Sequence, residues 1–351
     1  MTIIITDQDV QRFLSMEECI EAMRVAFSDF ADGKAANLPR MRYSVDTETL
    51  NKRYLANIQA GAVPSYGVAA VRAGSRFVKF EEVDGKQRVL HNPDPKNWTV
   101  IVLYDLDTAE PIAFLHENYI SGIRVGATVG VAVQNLAKED SEILGVFGSG
   151  AQAGPIVEAI CSVRNIREVR VFSPTEKNRE IFAAKYREKG LNTNAFPKPY
   201  MVVPGADIVA CATNAAEPVF DSEQLENGQT LVTIVNSDVN GKRVEVDDGV
   251  FNRASRVVIN DWDSVHANVQ VELLEAIKQG VLREEAVHTL GDVVTKRAPG
   301  RTSSKEILYY KNNVGLGMQF AAAGGLVYKK MQGVPAKLEF PTDWLGSDAK
   351  S

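Results

Sequence analysis

Apolar residues recur along this chain with two periods, and the change from one to the other divides it. From Asp7 the pattern Asp-x-x-Val-x-x-Phe-Leu, followed by Met16 to Phe27, repeats apolar positions every three or four residues. That spacing predicts two amphipathic helices, with Asp7 and Ser15 as N-caps. Beyond Gly33 the period shortens. Met41–Val45, Arg53–Ile58, Gly67–Arg72 and Val100–Asp105 read as strands separated by turns, with Asp84-Gly85-Lys86 as a hairpin tip. Tyr119 to Ala137 is small and apolar, with Arg124 its one charge, and predicts a long, closely packed helix. Short apolar runs at Val169–Phe172, Ile208–Thr213, Leu231–Val235 and Val257–Asn260 then alternate with segments long enough for crossovers. A strand at Glu306–Lys311, a helix at Leu316–Met331 and a tail from Ser347 complete the reading. The class is α/β, with a sheet-rich α+β part ahead of a parallel one.

The parallel part opens on Ile143 to Phe147, which runs into Gly148-Ser149-Gly150-Ala151-Gln152-Ala153. In such a turn the first glycine permits the tight bend and the second lets the backbone approach a pyrophosphate. The small third residue lets the new helix pack on its strand, and the helix N-terminus offers N–H donors to the phosphates. Glycine-rich turns of this spacing also occur in unrelated loops. The apolar strand before it and the strands that follow make this one a Rossmann-type dinucleotide-binding domain. Gly148, Ser149, Gly150, Ala151 and Gln152 are candidate cofactor residues, with Thr213 at the end of a later strand.

The second strand of that domain ends Val171-Phe172-Ser173-Pro174-Thr175-Glu176-Lys177-Asn178-Arg179, without the acid that would bind a ribose 2′-hydroxyl and repel a 2′-phosphate. Ser173 and Thr175 can donate to a phosphate and Lys177 or Arg179 can neutralise it, which favours NADP(H). Lys177 and Arg179 also read as a solvated helix face, and Glu176 keeps NAD(H) open.

Composition narrows the classes. With 351 residues and 45% apolar content the chain is long enough for two domains with ordinary cores. A net charge of −6 with Lys and Arg dispersed gives no basic face for nucleic acid or an anionic membrane. The longest small apolar run, Val125 to Val133, is far short of a membrane span. Met1 to Asp7 lacks a basic start and a cleavable apolar core, so a cytoplasmic location is expected. Cys19, Cys161 and Cys211 are scattered and odd in number, which reads as three buried thiols. The four histidines show no ligand spacing, so no metal is expected.

Arginines stand at unusual positions: Arg42 in a strand, Arg53 before Tyr54-Leu55, Arg72 within Ala69-Ala70-Val71-Arg72-Ala73-Gly74, and Arg124 among small apolar residues. Each alone reads as a structural ion pair; several together would make a set of bidentate forks for carboxylate. Asp238, just before Asn240-Gly241, reads on its own as a turn former.

Ile123-Arg124-Val125-Gly126-Ala127-Thr128, the glycine turn, Asn236-Ser237-Asp238-Val239-Asn240-Gly241-Lys242 and Asn313-Val314-Gly315-Leu316-Gly317 together resemble the ornithine cyclodeaminase/mu-crystallin family in order and spacing over nearly the whole chain. The resemblance implies a discontinuous α+β substrate and dimerisation domain (1–123 and 314–351) around a Rossmann domain (124–313), and a homodimer. It implies that Arg42, Arg53 and Arg124 bind substrate carboxylate, that Thr99 and Val314 place nicotinamide, and that Asp238 holds the amine or protonates the imine. The family usually has lysine where this chain has Arg72. Arginine stays charged at working pH, so it clamps an anion and is a poor acid or base, which weakens a cyclodeaminase reading and hints at a second substrate carboxylate. The expected reaction is hydride transfer between NAD(P)H and an α-imino or α-keto acid, giving an L-amino acid. Ornithine- or lysine-type cyclodeamination and a non-enzymatic dinucleotide-dependent binding role are the alternatives.

Overall fold

The computed structural model describes residues 1–83, 86–90, 98–235, 243–268, 270–312, 315–336 and 338–347, with backbone alone for 80–83, 86–90 and 271. Asp84 and Gly85 of the expected hairpin tip therefore lie outside the described residues.

In chain order the elements begin with β1 (Thr2–Ile5), α1 (Asp7–Phe13), α2 (Met16–Ala31), β2 (Ala36–Asp46), β3 (Lys52–Val63), β4 (Val68–Val83), β5 (Lys86–Leu90), β6 (Trp98–Asp105) and β7 (Pro111–His116). Next come α3 (Tyr119–Leu136), β8 (Ile143–Phe147), α4 (Ala153–Val163), β9 (Glu168–Phe172), α5 (Glu176–Glu188), β10 (Thr193–Ala195), β11 (Ile208–Cys211) and β12 (Thr230–Thr233). The remainder are α6 (Gly249–Arg253), β13 (Arg256–Ile259), α7 (Trp262–Ala267), α8 (Val271–Lys278), β14 (Val287–Thr289), α9 (Leu290–Val294), β15 (Leu308–Lys311), α10 (Gly317–Met331) and β16 (Glu339–Phe340).

Two compact units result. The first comprises Met1–Leu14, Gly33–Ile120 and Leu316–Ser351; the second comprises Ser15–Asp32 and Ser121–Gly315. Helix α2, which its place in the chain assigns to the first domain, is part of the second unit. Ser15 caps it through a reciprocal capping box with Glu18. The cap of α1 is Thr6, not Asp7: the Thr6 hydroxyl serves the Asp9 N–H, and Asp7 is already helical. The Asp7 carboxylate instead accepts the Tyr119 N–H at 2.7 Å.

The first unit is a largely antiparallel sheet in the order β16-β1-β7-β6-β4-β3-β2, with β5 on β4 and the β1–β7 pair parallel. Alternation gives the sheet two faces. One carries Ile5, Leu115, Ile101, Leu103 and Ala70, all buried. Helix α10 lies on this face so closely that a Cβ on Gly317 would overlap the Ala60 backbone, and one on Gly61 would overlap the Met318 backbone.

The second unit is a wholly parallel sheet, β10-β9-β8-β11-β12-β15-β13-β14. Its central strands β11, β12 and β15 are buried on both faces, as a sheet covered by crossover helices requires. Chain order reverses at β8, with β9 and β10 to one side and β11 and β12 to the other. Helix α3 approaches α4 until a Cβ on Gly126 would overlap the Pro155 carbonyl, so the run of small residues is a close-packing surface. Cys19 and Cys211 are buried as expected; Cys161 is half-buried.

Backbone cannot yield as a side chain can, so Gly317→Ala is expected to cost at least ~2 kcal/mol through overpacking. Thermal unfolding should show a fall of several degrees in Tm, and an unchanged Tm would mean that α10 moves off β3 without cost.

Candidate active site

The dinucleotide turn stands where the parallel sheet changes direction, which is where open α/β sheets bind ligands. The Gly148 N–H donates to the Phe172 carbonyl at 2.8 Å, and the Ala212 N–H donates to the Phe147 carbonyl at 2.8 Å, so β9 and β11 grip the end of β8. Gly148 has φ +106°, and a Cβ there would overlap the Ala212 carbonyl. Both constraints demand glycine. Nothing lies within 4 Å of the place a Cβ on Gly150 would occupy, and the Oε1 of the neighbouring Gln152 is buried without a partner. An open cradle and the start of an eleven-residue helix at the buried Ala153, with its free N–H donors, fit a dinucleotide pyrophosphate.

Beside the turn is a cavity of about 360 Å³ lined by Ser149, Gly150 and Ala151 and, from one face of α5, by Asn178, Phe182 and Lys185. The last three were missed, although their i, i+4, i+7 spacing marks one helix face. The Ser149 hydroxyl donates to the Ser173 hydroxyl at 3.0 Å, which joins the turn to the end of β9. Arg179 is buried; it donates to the Ser173 carbonyl at 3.3 Å and lies 3.9 Å from Glu176. It is thus neither a solvated residue nor one that lines the cavity. Lys177 is exposed and Thr175 is the N-cap residue ahead of α5.

The loops leaving β11 and β12 are fastened to one carboxylate. Glu245 Oε1 accepts the Thr213 N–H at 2.7 Å and the Thr213 hydroxyl at 2.9 Å, while Oε2 accepts the N–H groups of Ile234 and Val235, each at 3.0 Å. Burial pushes this carboxyl above the usual range against the pull of those donors. Thr213, expected at the cofactor, spends its polar groups on Glu245 and on the Ala215 N–H. Nearby Lys311 donates to Glu272 at 2.7 Å and to the Val235 carbonyl at 3.3 Å. Burial would depress its ammonium, but Tyr309 and Glu272 reverse the effect and hold it above its ordinary value. An acid within Val244-Glu245-Val246 and a lysine ending an apolar strand were the available signals.

In the first unit, register aligns Arg42, Asn57, Gly74 and Thr99 across β2, β3, β4 and β6. His116 opposes Val100, so the next residue, Glu117, extends the row past Thr99. The row lies on the face that α10 covers, where the apolar layer gives way to polar side chains. Arg72, two residues before Gly74, shares the face: its guanidinium lies 5.8 Å from the Phe320 ring centre and its Nη2 donates to Glu117 Oε2 at 2.9 Å. A Cβ on Gly74 would stand 3.2 Å from the Thr99 hydroxyl and 3.3 Å from both Arg72 Nη atoms. The structure thus brings Arg72 and Thr99 together, with Arg42 two strands away. Arg53 sits four residues along β3 from Asn57 and bonds to Asp46 at 2.6 Å near solvent, as a structural ion pair does.

In the second unit Arg124 is buried on α3, its guanidinium against Gly315, where any Cβ would overlap it. That contact explains the glycine after Val314. Asp238 and Val314 lie outside the described residues.

A model of the ornithine cyclodeaminase/mu-crystallin family matches residues 1–334. The chain belongs to that family. Among its relatives, alanine dehydrogenase of Archaeoglobus fulgidus is 28% identical over 345 residues, covering 97% of this chain and 98% of that one. Delta(1)-pyrroline-2-carboxylate reductase of Bacillus cereus is 28% identical over 342 residues, covering 96% and 100%. The solved Thermococcus litoralis Delta(1)-pyrroline-2-carboxylate reductase, in complex with NADH and L-proline, superposes with a TM-score of 0.81 at 26% identity, covering 95% and 98%. The Rossmann-type fold is common to this family member and that enzyme.

Replacing Gly148 by Ala strains a left-handed backbone and drives a methyl at a carbonyl. Dinucleotide affinity, followed by quenching of protein fluorescence, should fall at least ~10-fold, or ~1.4 kcal/mol. Affinity equal to that of the parent would remove the turn from the site.

Proposed function

We propose that the protein transfers hydride between NAD(P)H and an α-imino or α-keto acid, forming or oxidising an L-amino acid. It is an NAD(P)-linked oxidoreductase of CH–NH or CH–NH2 groups: its relatives include an alanine dehydrogenase and a Delta(1)-pyrroline-2-carboxylate reductase, and the solved Thermococcus litoralis reductase is in complex with NADH. The observation that carries the reading is Arg72, ion-paired on one side yet with Nε and Nη1 buried and unpartnered, on the same face as Arg42 and Thr99.

The dinucleotide, when bound, supplies or takes up the hydride. The chain's own groups bind and orient. Arg42 and Arg72 in the first unit are the proposed carboxylate donors, and a guanidinium fixes the anion without trading a proton. In the second unit Arg124 is assigned a carboxylate and Asp238 the amine or imine proton. Arg53, already engaged with Asp46, is left out. Glu117 offsets the charge of Arg72, so the proposal does not include a second substrate carboxylate.

A preference for NADP(H) rests on the missing acid after β9 together with Ser173, Thr175 and Lys177. No helix among the described residues is long and apolar enough to cross a membrane. A cytoplasmic setting belongs to the same proposal.

The test is a panel of keto acids with ammonia or methylamine, together with preformed cyclic imines, run in parallel with NADH and NADPH. Oxidation of NADPH in preference to NADH by at least one imine is expected. Ammonia release from ornithine or lysine without net cofactor oxidation would replace the reading with cyclodeamination, and tight dinucleotide binding without turnover would leave a binding protein. Arg124→Leu should lower kcat/KM about 100-fold, or ~2.7 kcal/mol, and leave dinucleotide affinity unchanged. Unchanged turnover would remove Arg124 from the mechanism.

We also infer a homodimer. The second face of the antiparallel sheet presents Met41, Tyr43, Val45, Phe77, Trp98 and Val100 to solvent, with Trp98 67% exposed. A contiguous apolar face of this kind marks an interface, and a second copy of the chain is the proposed occupant. Light scattering should give twice the chain mass, and Trp98→Asp should halve it; a parent protein that is monomeric at micromolar concentration would end the inference.

A further inference from the structure

The ion pair between Arg72 and Glu117 is half satisfied. Their side chains are 13% and 7% exposed and meet through a single Nη2–Oε2 contact of 2.9 Å. Arg72 Nε and Nη1 and Glu117 Oε1 are buried and unpartnered, and so is Asn57 Oδ1 in the same row. Buried polar atoms are nearly always paired, and a neutral apolar pair would be cheaper here if the only task were to hold the sheet together. Without a side chain at Gly74 the Arg72 guanidinium and the Thr99 hydroxyl approach the same point of the strand, 3.3 Å and 3.2 Å from where a Cβ would stand. The pair thus holds unused donors and an unused acceptor side by side, with no net charge.

We propose that Glu117 is a specificity-determining residue for the reaction put forward above, on which this inference rests. Arg72 Nη1 and Nε donate to the substrate carboxylate, and Glu117 Oε1 accepts an N–H from the adjacent amine or protonated imine. The ligand that satisfies both is one in which a carboxylate and an N–H are joined through a single carbon: an α-amino acid or its iminium. An α-keto acid offers the carboxylate and no N–H, so it satisfies Arg72 and leaves Glu117 Oε1 alone. Free arginine positive charge would hold both equally. The carboxylate next to Arg72 thus makes the pocket choose nitrogen.

The experiment uses the full-length protein loaded with oxidised dinucleotide. KM for the L-amino acid formed from the best keto acid with ammonia is compared with the inhibition constant of that α-keto acid, in the parent and in Glu117→Gln. The expected result is an amino-acid KM raised at least tenfold with a keto-acid constant changed less than threefold, because the amide presents one fewer acceptor and Arg72 remains. If Glu117 only orients Arg72, both constants shift together; if it is idle, neither shifts. Either outcome overturns the proposal. Should the glutamine variant fail to fold, Glu117→Asp keeps the charge beside Arg72 while withdrawing the acceptor, and the same split is expected. A parent enzyme that turns over no amino or imino acid would instead sink the functional reading itself, before any variant is made.

Discussion

The parallel sheet can bind a dinucleotide only because the chain turns at Gly148 in a conformation that no side chain tolerates. Strand β8 is the first strand of the second unit and lies between later neighbours on both sides. Its end is held by a backbone hydrogen bond donated to β9 and another received from the residue after β11, so the turn cannot relax by drifting away from the sheet. A left-handed φ and a carbonyl where a Cβ would stand leave one residue type possible. Given that turn, the open space at Gly150 and the start of α4 follow from chain geometry, and they meet the demands of a phosphate pair.

Buried charge is handled differently in the two units. In the second, Glu245 and Lys311 are surrounded by partners: Glu245 has four donors, and Lys311 has a carboxylate and a carbonyl. Such groups fix backbone and have little left to offer a ligand. In the first, Arg72 and Glu117 share one contact and leave three polar atoms idle, at the point where the apolar face beneath α10 turns polar. Satisfied charges hold a scaffold, whereas unpaired buried ones carry a cost that a scaffold alone does not require.

Much of the second unit was legible because its signals are local. Six of the eight parallel strands lie in short runs that the sequence showed, and the glycine turn is contiguous; β10 (Thr-Asn-Ala) and β14 (Val-His-Thr) have no apolar run and were not found. The polar row of the first unit was not, because Arg42, Asn57, Gly74, Thr99 and Glu117 come from five separate stretches and meet only through strand register. A register error of one residue would have sent each to the opposite face. Glu117 had no motif to announce it, and Arg53, whose setting resembled that of Arg72, found Asp46 directly across the ladder. The assignment of α2 failed for a related reason: its amphipathic pattern shows that one side is buried but not which unit buries it.

The carboxylate of Glu245 has a consequence for motion. One oxygen secures the chain after β11 and the other secures the chain after β12, so a single side chain ties together two segments that meet at no shared strand end. Loosening either segment leaves an oxygen of a desolvated acid without its donors, which penalises the other as well. The two rims therefore open and stiffen as a coupled pair, and order imposed on one by a bound molecule is transmitted to its neighbour through about the width of a carboxyl group.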